Sequence, residues 1–241
     1  MAAVGLVVHH ERPEAADLAR STAVWLQGAG HLVRLPDPDA STVGLGELGV
    51  EPDEFGPGLD LAVSLGGDGT MLRTVDLVAT SGVPVLGVNI GQLGYLTDIE
   101  PHDLRSSIDR VLVGNYEVEE RMLLDVAAAP GPGRSSAAFP PSTIVGMNEL
   151  VLEKTPSGHT VRLAVEIDGR FFTTYATDGL IVATPTGSTA YALSVRGPIV
   201  APTHRALILT PVSPHMLFDR SLVLEPTSTV RITVDGHRPA T

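Results

Sequence analysis

An apolar run that breaks into paired glycines constrains this chain more than any other feature. Leu61–Leu65 reads LAVSL, the pattern of a short buried strand. It stops at Gly66-Gly67, presents one carboxylate at Asp68, and resumes through Gly69-Thr70 into an apolar-periodic segment that predicts a helix over Thr70–Thr80. Glycines without a Cβ let the backbone turn sharply and let a bulky anion approach the N–H groups. The helix that follows would aim its positive end at the same place. A carboxylate in a phosphate-sized pocket repels phosphate, so Asp68 makes sense there if it takes a proton from an attacking hydroxyl or holds a metal ion. The alternative is a Gly-rich turn between strand and helix, with Asp68 as a solvated cap.

The elements before and after this turn alternate. Val4–Val8 predicts a first strand and Pro13–Leu26 a helix, opened by Pro13 and stopped by Gly28 and Gly30. Leu32–Leu35 is a second strand, Pro36–Gly58 an irregular excursion, and Val83–Val88 a fourth strand ending in the loop 89–95. A helix with Leu104, Ile108, Val111 and Leu112 on one face follows. Strand alternating with helix predicts a parallel α/β sheet, whose ligands sit at the carboxyl ends of the strands. Both glycine-bearing loops, 66–70 and 89–95, fall at such ends.

Near residue 116 the pattern changes. Tyr116–Ala127 and Thr143–Glu153 read as strands joined by PGPGRSSAAFPP, and Val161–Ile167 alternates into an Asp168-Gly169 turn and a return strand, Arg170–Tyr175. Asp178–Ala183, Leu207–Thr210 and Leu222–Leu224 read as further strands. The expected architecture is therefore an α/β domain over 1–115 and a mostly antiparallel β domain over 116–241. Val230, Ile232 and Val234 alternate before an Asp235-Gly236 turn, and the sequence stops at Thr241. A turn with almost no return strand leaves a sheet edge that either another chain covers or a missing C-terminal piece would have covered.

Composition narrows the function. The 241 residues hold no cysteine, which excludes disulfides, thiol catalysis and cysteine–zinc sites. No apolar run is long enough to span a bilayer and no basic segment precedes the short apolar N-terminus, so a cytoplasmic protein is expected. A formal charge of −12 argues against nucleic acid or an anionic membrane as partner. A polyanionic ligand would need local N–H groups, Mg²⁺ and a few basic side chains, of which Arg73, on the first turn after Gly69-Thr70, is one candidate. The histidines show no paired-ligand spacing, so no tightly held transition metal is expected.

Two further constellations carry chemistry. Thr184, Thr186, Ser188 and Thr189 place hydroxyls in the loop TPTGSTAY, suited to sugar and phosphate oxygens or simply to capping a helix. Asn148-Glu149 sits within the otherwise apolar VGMNELVLE, either on a solvated face or aimed at ribose hydroxyls.

Taken together, GGDGT (66–70), GVNIGQLGYL (87–96), NE (148–149) and DGLIVATPTGSTAYALS (178–194) resemble the NAD kinase family, in that order and with its spacing. The resemblance runs from about Val4 to Val234. GGDGT alone is shared with lipid kinases; the Asn-Glu pair followed by TPTGSTAY is far more specific. It implies an NAD kinase-like fold, a Rossmann-like α/β domain and a mostly β domain with the active site between them. It also implies transfer of the ATP γ-phosphoryl, or a phosphoryl of polyphosphate, to the 2′-hydroxyl of the NAD adenosine ribose with Mg²⁺, in a homodimer or homotetramer. By this resemblance Asp68 is the base, and Gly66, Gly67, Gly69 and Thr70 cradle phosphates. Arg73, Asn89 and Tyr95 are candidate nucleotide contacts, Asn148 and Glu149 hold ribose hydroxyls, and His159 touches the dinucleotide. Asp178, Thr186, Thr189, Ala190, Tyr191, Ala192, Leu193 and Ser194 frame the NAD pocket. Two departures stand out: Arg196-Gly197-Pro198 replaces the family's Gly-Gly-Pro, and the family's β structure continues beyond Val234. A non-catalytic dinucleotide-binding relative, and a kinase of the same fold acting on a lipid or sugar, are the alternatives.

Overall fold

The computed structural model of the chain describes residues 1–91, 94–129, 143–155 and 159–235. They fall into two compact units, Met1–Val118 and Glu119–Thr241. In the first unit, strands β1 (Ala3–Val8), β2 (Leu32–Pro36), β3 (Gly49–Val50), β4 (Leu61–Gly66) and β5 (Val85–Asn89) form a parallel sheet in the order β3-β2-β1-β4-β5. β1 and β4 are buried along their whole length, as the continuous apolar run Leu61–Leu65 requires of a strand covered on both faces. One face packs Leu61, Val63 and Leu65 against Ala15, Ala19 and Leu26 of helix α1 (Pro13–Gly28), and Ala62 turns the other way toward Phe55 and Val78. The chain crosses to β2 on one side of β1 and to β4 on the other. The loops after β1 and β4 therefore diverge at a topological switch point, the place where open α/β sheets bind ligands.

The excursion over 36–58 holds more structure than its sequence suggests: helix α2 (Asp37–Val43), a 3-10 turn, β3 and helix α3 (Pro52–Phe55). α2 tolerates Pro38 because it lies within the first turn, where its missing N–H has no partner anyway, and Gly44 ends it at φ 72°. The helix after the glycine turn, α4, spans Asp68–Val78 with Gly67 at its N-cap, two residues earlier than the periodicity places it. That shift puts Asp68 in the helix's first turn. Helix α5 (Leu104–Leu112) lies as expected, burying Leu104 and Ile108.

The second unit is antiparallel. Strand β6 (Leu124–Ala127) pairs with β7 (Thr143–Gly146). β8 (Glu149–Glu153), β11 (Gly179–Ala183), β12 (Leu207–Val212) and β13 (Leu222–Leu224) form a sheet in the order β13-β12-β11-β8. β9 (Val161–Ile167), β10 (Arg170–Thr177) and β14 (Val230–Asp235) form another, in the order β10-β9-β14. The β9–β10 hairpin turns at Asp168 and Gly169 with φ 51° and 73°, the double positive φ that matches the strands' twist. Two expectations change here. The strand expected over Tyr116–Ala127 is confined to Leu124–Ala127, and the one expected over Thr143–Glu153 breaks at Met147-Asn148 into β7 and β8, which belong to different sheets. A single strand cannot serve two sheets without such a break, so Asn148 sits in a corner. The connection over 130–141 and the turn at Gly236 lie outside the described residues.

Arg196 adopts φ 69°, a left-handed conformation that glycine takes freely and a residue with a Cβ pays roughly 1–2 kcal/mol for. That explains why glycine suits this position. Arg196→Gly should raise the stability of this unit by about 1 kcal/mol, part of the relief being offset by glycine's greater freedom when unfolded. Urea unfolding of both proteins checks it.

Candidate active site

At the switch point of the first unit, the loop after β1 and the turn into α4 line a cavity of about 570 Å³, whose wall includes His9, His10, Arg12, Gly67, Asp68, Gly69, Thr70, Arg73 and Gly94. Asp68 is held there by backbone. The N–H of Tyr95 donates to its Oδ2 and the N–H of Leu96 to its Oδ1, each at 3.0 Å. A methyl group on Gly94 would run into the same carboxylate, so only glycine lets this segment close onto it. Each oxygen keeps a lone pair free, and the carboxylate cannot swing away without losing both bonds.

The four glycines of the site divide by cause. A Cβ on Gly66 would collide with the Thr70 hydroxyl, so packing demands glycine there, as it does at Gly94. Among the described residues nothing lies within 4 Å of a Cβ built on Gly67 or on Gly69, and neither has a positive φ. The protein itself does not require glycine at these two positions; an approaching ligand would. Gly69→Ala should therefore leave stability unchanged or raise it by up to about 1 kcal/mol, because alanine is the better helix residue. The same variant should raise KM for a ligand that approaches this turn. Thermal unfolding beside steady-state kinetics checks both halves.

Arg73 is tied down. Its Nη1 and Nη2 donate to Oδ1 and Oδ2 of Asp39 at 2.5 and 2.8 Å, and Nη2 also donates to the carbonyl of Val8 at 2.6 Å. Asp39, on α2, is completely buried and also accepts the Val8 N–H at 2.6 Å. His10 Nε2 lies 2.8 Å from Asp39 Oδ1 and 3.0 Å from Arg73 Nη1. One carboxylate thus fastens the end of β1, α2, α4 and the first loop together. Asn89, at the end of β5, is buried, and its Oδ1 has no hydrogen-bond partner among the described residues.

In the second unit, the loop after β11 folds onto the corner at Asn148. The Thr184 N–H donates to the Asn148 carbonyl at 2.9 Å, and the Thr184 hydroxyl to the Met147 carbonyl at 2.6 Å. A Cβ on Gly187 would strike the Asn148 carbonyl, so this glycine is needed for the close approach. The loop continues as a 3-10 turn, Thr186–Thr189, and a short helix, α6 (Tyr191–Ser194). Glu149 opens β8. Desolvation pushes its carboxyl above the usual carboxylate range, the backbone N–H of Tyr191 pulling it partly back, and its Oε2 is buried without a partner among the described residues. A buried acceptor left open is costly unless a ligand donor fills it.

The ATP-NAD kinase N-terminal domain model matches residues 4–116, and the C-terminal domain model matches residues 147–241. The NAD kinase of Heliobacterium modesticaldum is 38% identical over 97% of this chain and 80% of its own length. The chain belongs to the NAD kinase family. The NAD kinase of Thermobifida fusca is 41% identical over 95% of this chain and 72% of its own. The crystal structure of yeast NADH kinase complexed with NADH superposes with a TM-score of 0.87 at 27% identity, over 97% of this chain and 72% of that one. An NAD kinase from Archaeoglobus fulgidus, solved with ATP, shares the fold with a TM-score of 0.66 at 23% identity.

Among the residues that the NAD kinase resemblance singles out, the structure gathers Gly67, Asp68, Gly69, Thr70 and Arg73 on one cavity wall, with the Tyr95 backbone against Asp68. It gathers Asn148 and Glu149 with the loop over 184–191. Thr186 is buried, whereas Tyr191, Leu193 and Ser194 are exposed. Asp178 accepts from Lys154 Nζ at 2.8 Å, and His159 is exposed in a bend. Gln92 and Leu93 of the loop over 89–95 lie outside the described residues. Sequence reasoning passed over Asp39, Arg12 and Gly94. Asp39 lay in the excursion read as irregular, and only long-range packing brings Gly94 to Asp68 and Arg12 to Gly91.

Proposed function

We propose that the chain transfers the γ-phosphoryl of ATP, or a phosphoryl of polyphosphate, to the 2′-hydroxyl of the NAD adenosine ribose, giving NADP. The observation that carries this reading is the Asp68 carboxylate, fixed by two backbone N–H groups at 3.0 Å inside a cavity whose glycines leave room for a ligand. Asp68 accepts the proton of the 2′-hydroxyl as that oxygen forms its bond to phosphorus; the bond from phosphorus to the leaving oxygen breaks, and ADP or shortened polyphosphate departs. The N–H groups around Gly67-Gly69 and the Thr70 turn receive phosphate oxygens. The buried, unpartnered Oε2 of Glu149 and the Asn148 amide receive ribose hydroxyls.

Mg²⁺ fits this site as a passenger on the donor. The described residues contain no group of three or more His, Asp or Glu side chains able to hold a metal, and the cavity offers few carboxylates, Asp68 among them, the donor set of an ion held mainly by phosphates and water. Bound to the donor it neutralises phosphate charge. Aligning donor and acceptor supplies much of the remaining rate.

The reading extends to a homodimer or homotetramer, supported by β14, which pairs only with β9 among the described residues and leaves an edge open. A cytoplasmic location agrees with the lack, among the described residues, of a helix long and apolar enough to cross a membrane. The test offers purified protein NAD, NADH, a diacylglycerol and a sugar phosphate in turn, with Mg²⁺ and either ATP or polyphosphate. Phosphorylation of a dinucleotide is expected. Turnover of the lipid or sugar alone would replace the acceptor assignment.

A further inference from the structure

The cavity wall carries two arginines, and only one is spoken for. Arg73 meets the buried Asp39 with both terminal nitrogens, so its charge is largely neutralised within the protein. Arg12 is half-buried at the same wall, and its side chain has no hydrogen bond or ion pair among the described residues. Its backbone is fixed, because Arg12 is the N-cap of α1 with Pro13 next, and its carbonyl accepts from Ala15 and Ala16. Its guanidinium lies over Gly91, where a methyl group would overlap Nη1. Gly91 therefore holds its place for two reasons, a φ of 112° and the space Arg12 occupies. In a chain of formal charge −12, a partly desolvated cation kept apart from the surrounding carboxylates is costly unless an anion completes it.

We propose that Arg12 is the cation that grips the oligophosphate of the phosphoryl donor, while Arg73, bound to Asp39, serves chiefly to position α4. The assignment rests on the reading of Asp68 as the base, since the reacting phosphoryl must lie within reach of the hydroxyl that Asp68 deprotonates. It takes an oligophosphate rather than a carboxylate, because the facing turn at Gly67 and Gly69 leaves open space beside its N–H groups and the guanidinium presents a planar donor fork. Glu11 also lines the cavity and is exposed.

Two readouts test it. Calorimetry with inorganic tripolyphosphate and Mg²⁺ measures the grip directly, without turnover; steady-state kinetics separates KM for ATP from KM for NAD. Arg12→Ala should weaken tripolyphosphate binding and raise KM for ATP by about tenfold or more, with KM for NAD nearly unchanged and only a small fall in melting temperature, because a charge-assisted bond is lost while the packing over Gly91 carries no hydrogen bond or ion pair among the described residues. Arg12→Lys should fall between, keeping the charge without the fork. Wild-type affinity for tripolyphosphate in Arg12→Ala, or no binding by the wild type, would overturn the proposal. NADP formation with an unchanged KM for ATP in Arg12→Ala would sink it while leaving the proposed function standing. Arg12-dependent tripolyphosphate binding without NADP formation would do the reverse.

Discussion

Asp68→Asn should abolish most of the NADP-forming activity, lowering kcat by roughly 10²- to 10⁴-fold, the range by which a positioned base accelerates proton removal. The change is nearly isosteric, and an amide oxygen can still accept one of the two bonds from the Tyr95 and Leu96 N–H groups. The amide nitrogen cannot accept the other, so a small loss of order in the segment at Gly94 accompanies the chemical defect. Affinity for NAD should change little, since the residues proposed to hold the ribose, Asn148 and Glu149, are untouched. Equal losses in NAD affinity and in turnover would show that Asp68 binds rather than catalyses. Calorimetric NAD titration and initial rates on the same preparation distinguish the two.

Asp39→Ala should destabilise the first unit by about 3 kcal/mol or more, the cost of leaving one partner of a buried ion pair without the other. The carboxylate is fully buried and holds both terminal nitrogens of Arg73 and the Val8 N–H, whereas the Arg73 side chain is one-third exposed and can partly recover water. That asymmetry places the estimate at the lower end of the usual range. Because α4 carries both Arg73 and Asp68, the variant should also lower kcat even where it remains folded. A double-mutant cycle of Asp39→Asn and Arg73→Gln, read by urea unfolding, isolates the pair. A coupling below about 0.5 kcal/mol would mark it as an ordinary surface contact and remove the clamp from the account.

The residues differed in how openly they announced their roles. The strand Leu61–Leu65 and the glycine turn were legible because burial on both faces demands an unbroken apolar run and because glycines punctuate it. The β9–β10 hairpin was legible from Asp168-Gly169 for the same local reason. What escaped was non-local. Asp39 reaches Arg73 across 34 positions, and a proline-rich segment concealed the helix that carries it. Arg12 meets Gly91 only because the β1 and β5 loops emerge from the same end of one sheet. The corner at Asn148 was hidden too, since VGMNELVLE has strand composition on both sides of the break. Asn148 lies in the break itself, and Glu149 opens the next strand, paired with Ala183.

The phosphate's position on the product decides whether the chain phosphorylates the 2′-hydroxyl of NAD through Asp68. Wild-type protein is incubated with NAD, Mg²⁺ and ATP or polyphosphate, with Asp68→Asn alongside, and the product is examined by phosphorus NMR. The wild type should give a monophosphate ester at the 2′ position of the adenosine ribose, and the variant only traces. A phosphate placed elsewhere, equal yields from the two proteins, or saturable NAD binding with no ester formed would contradict it.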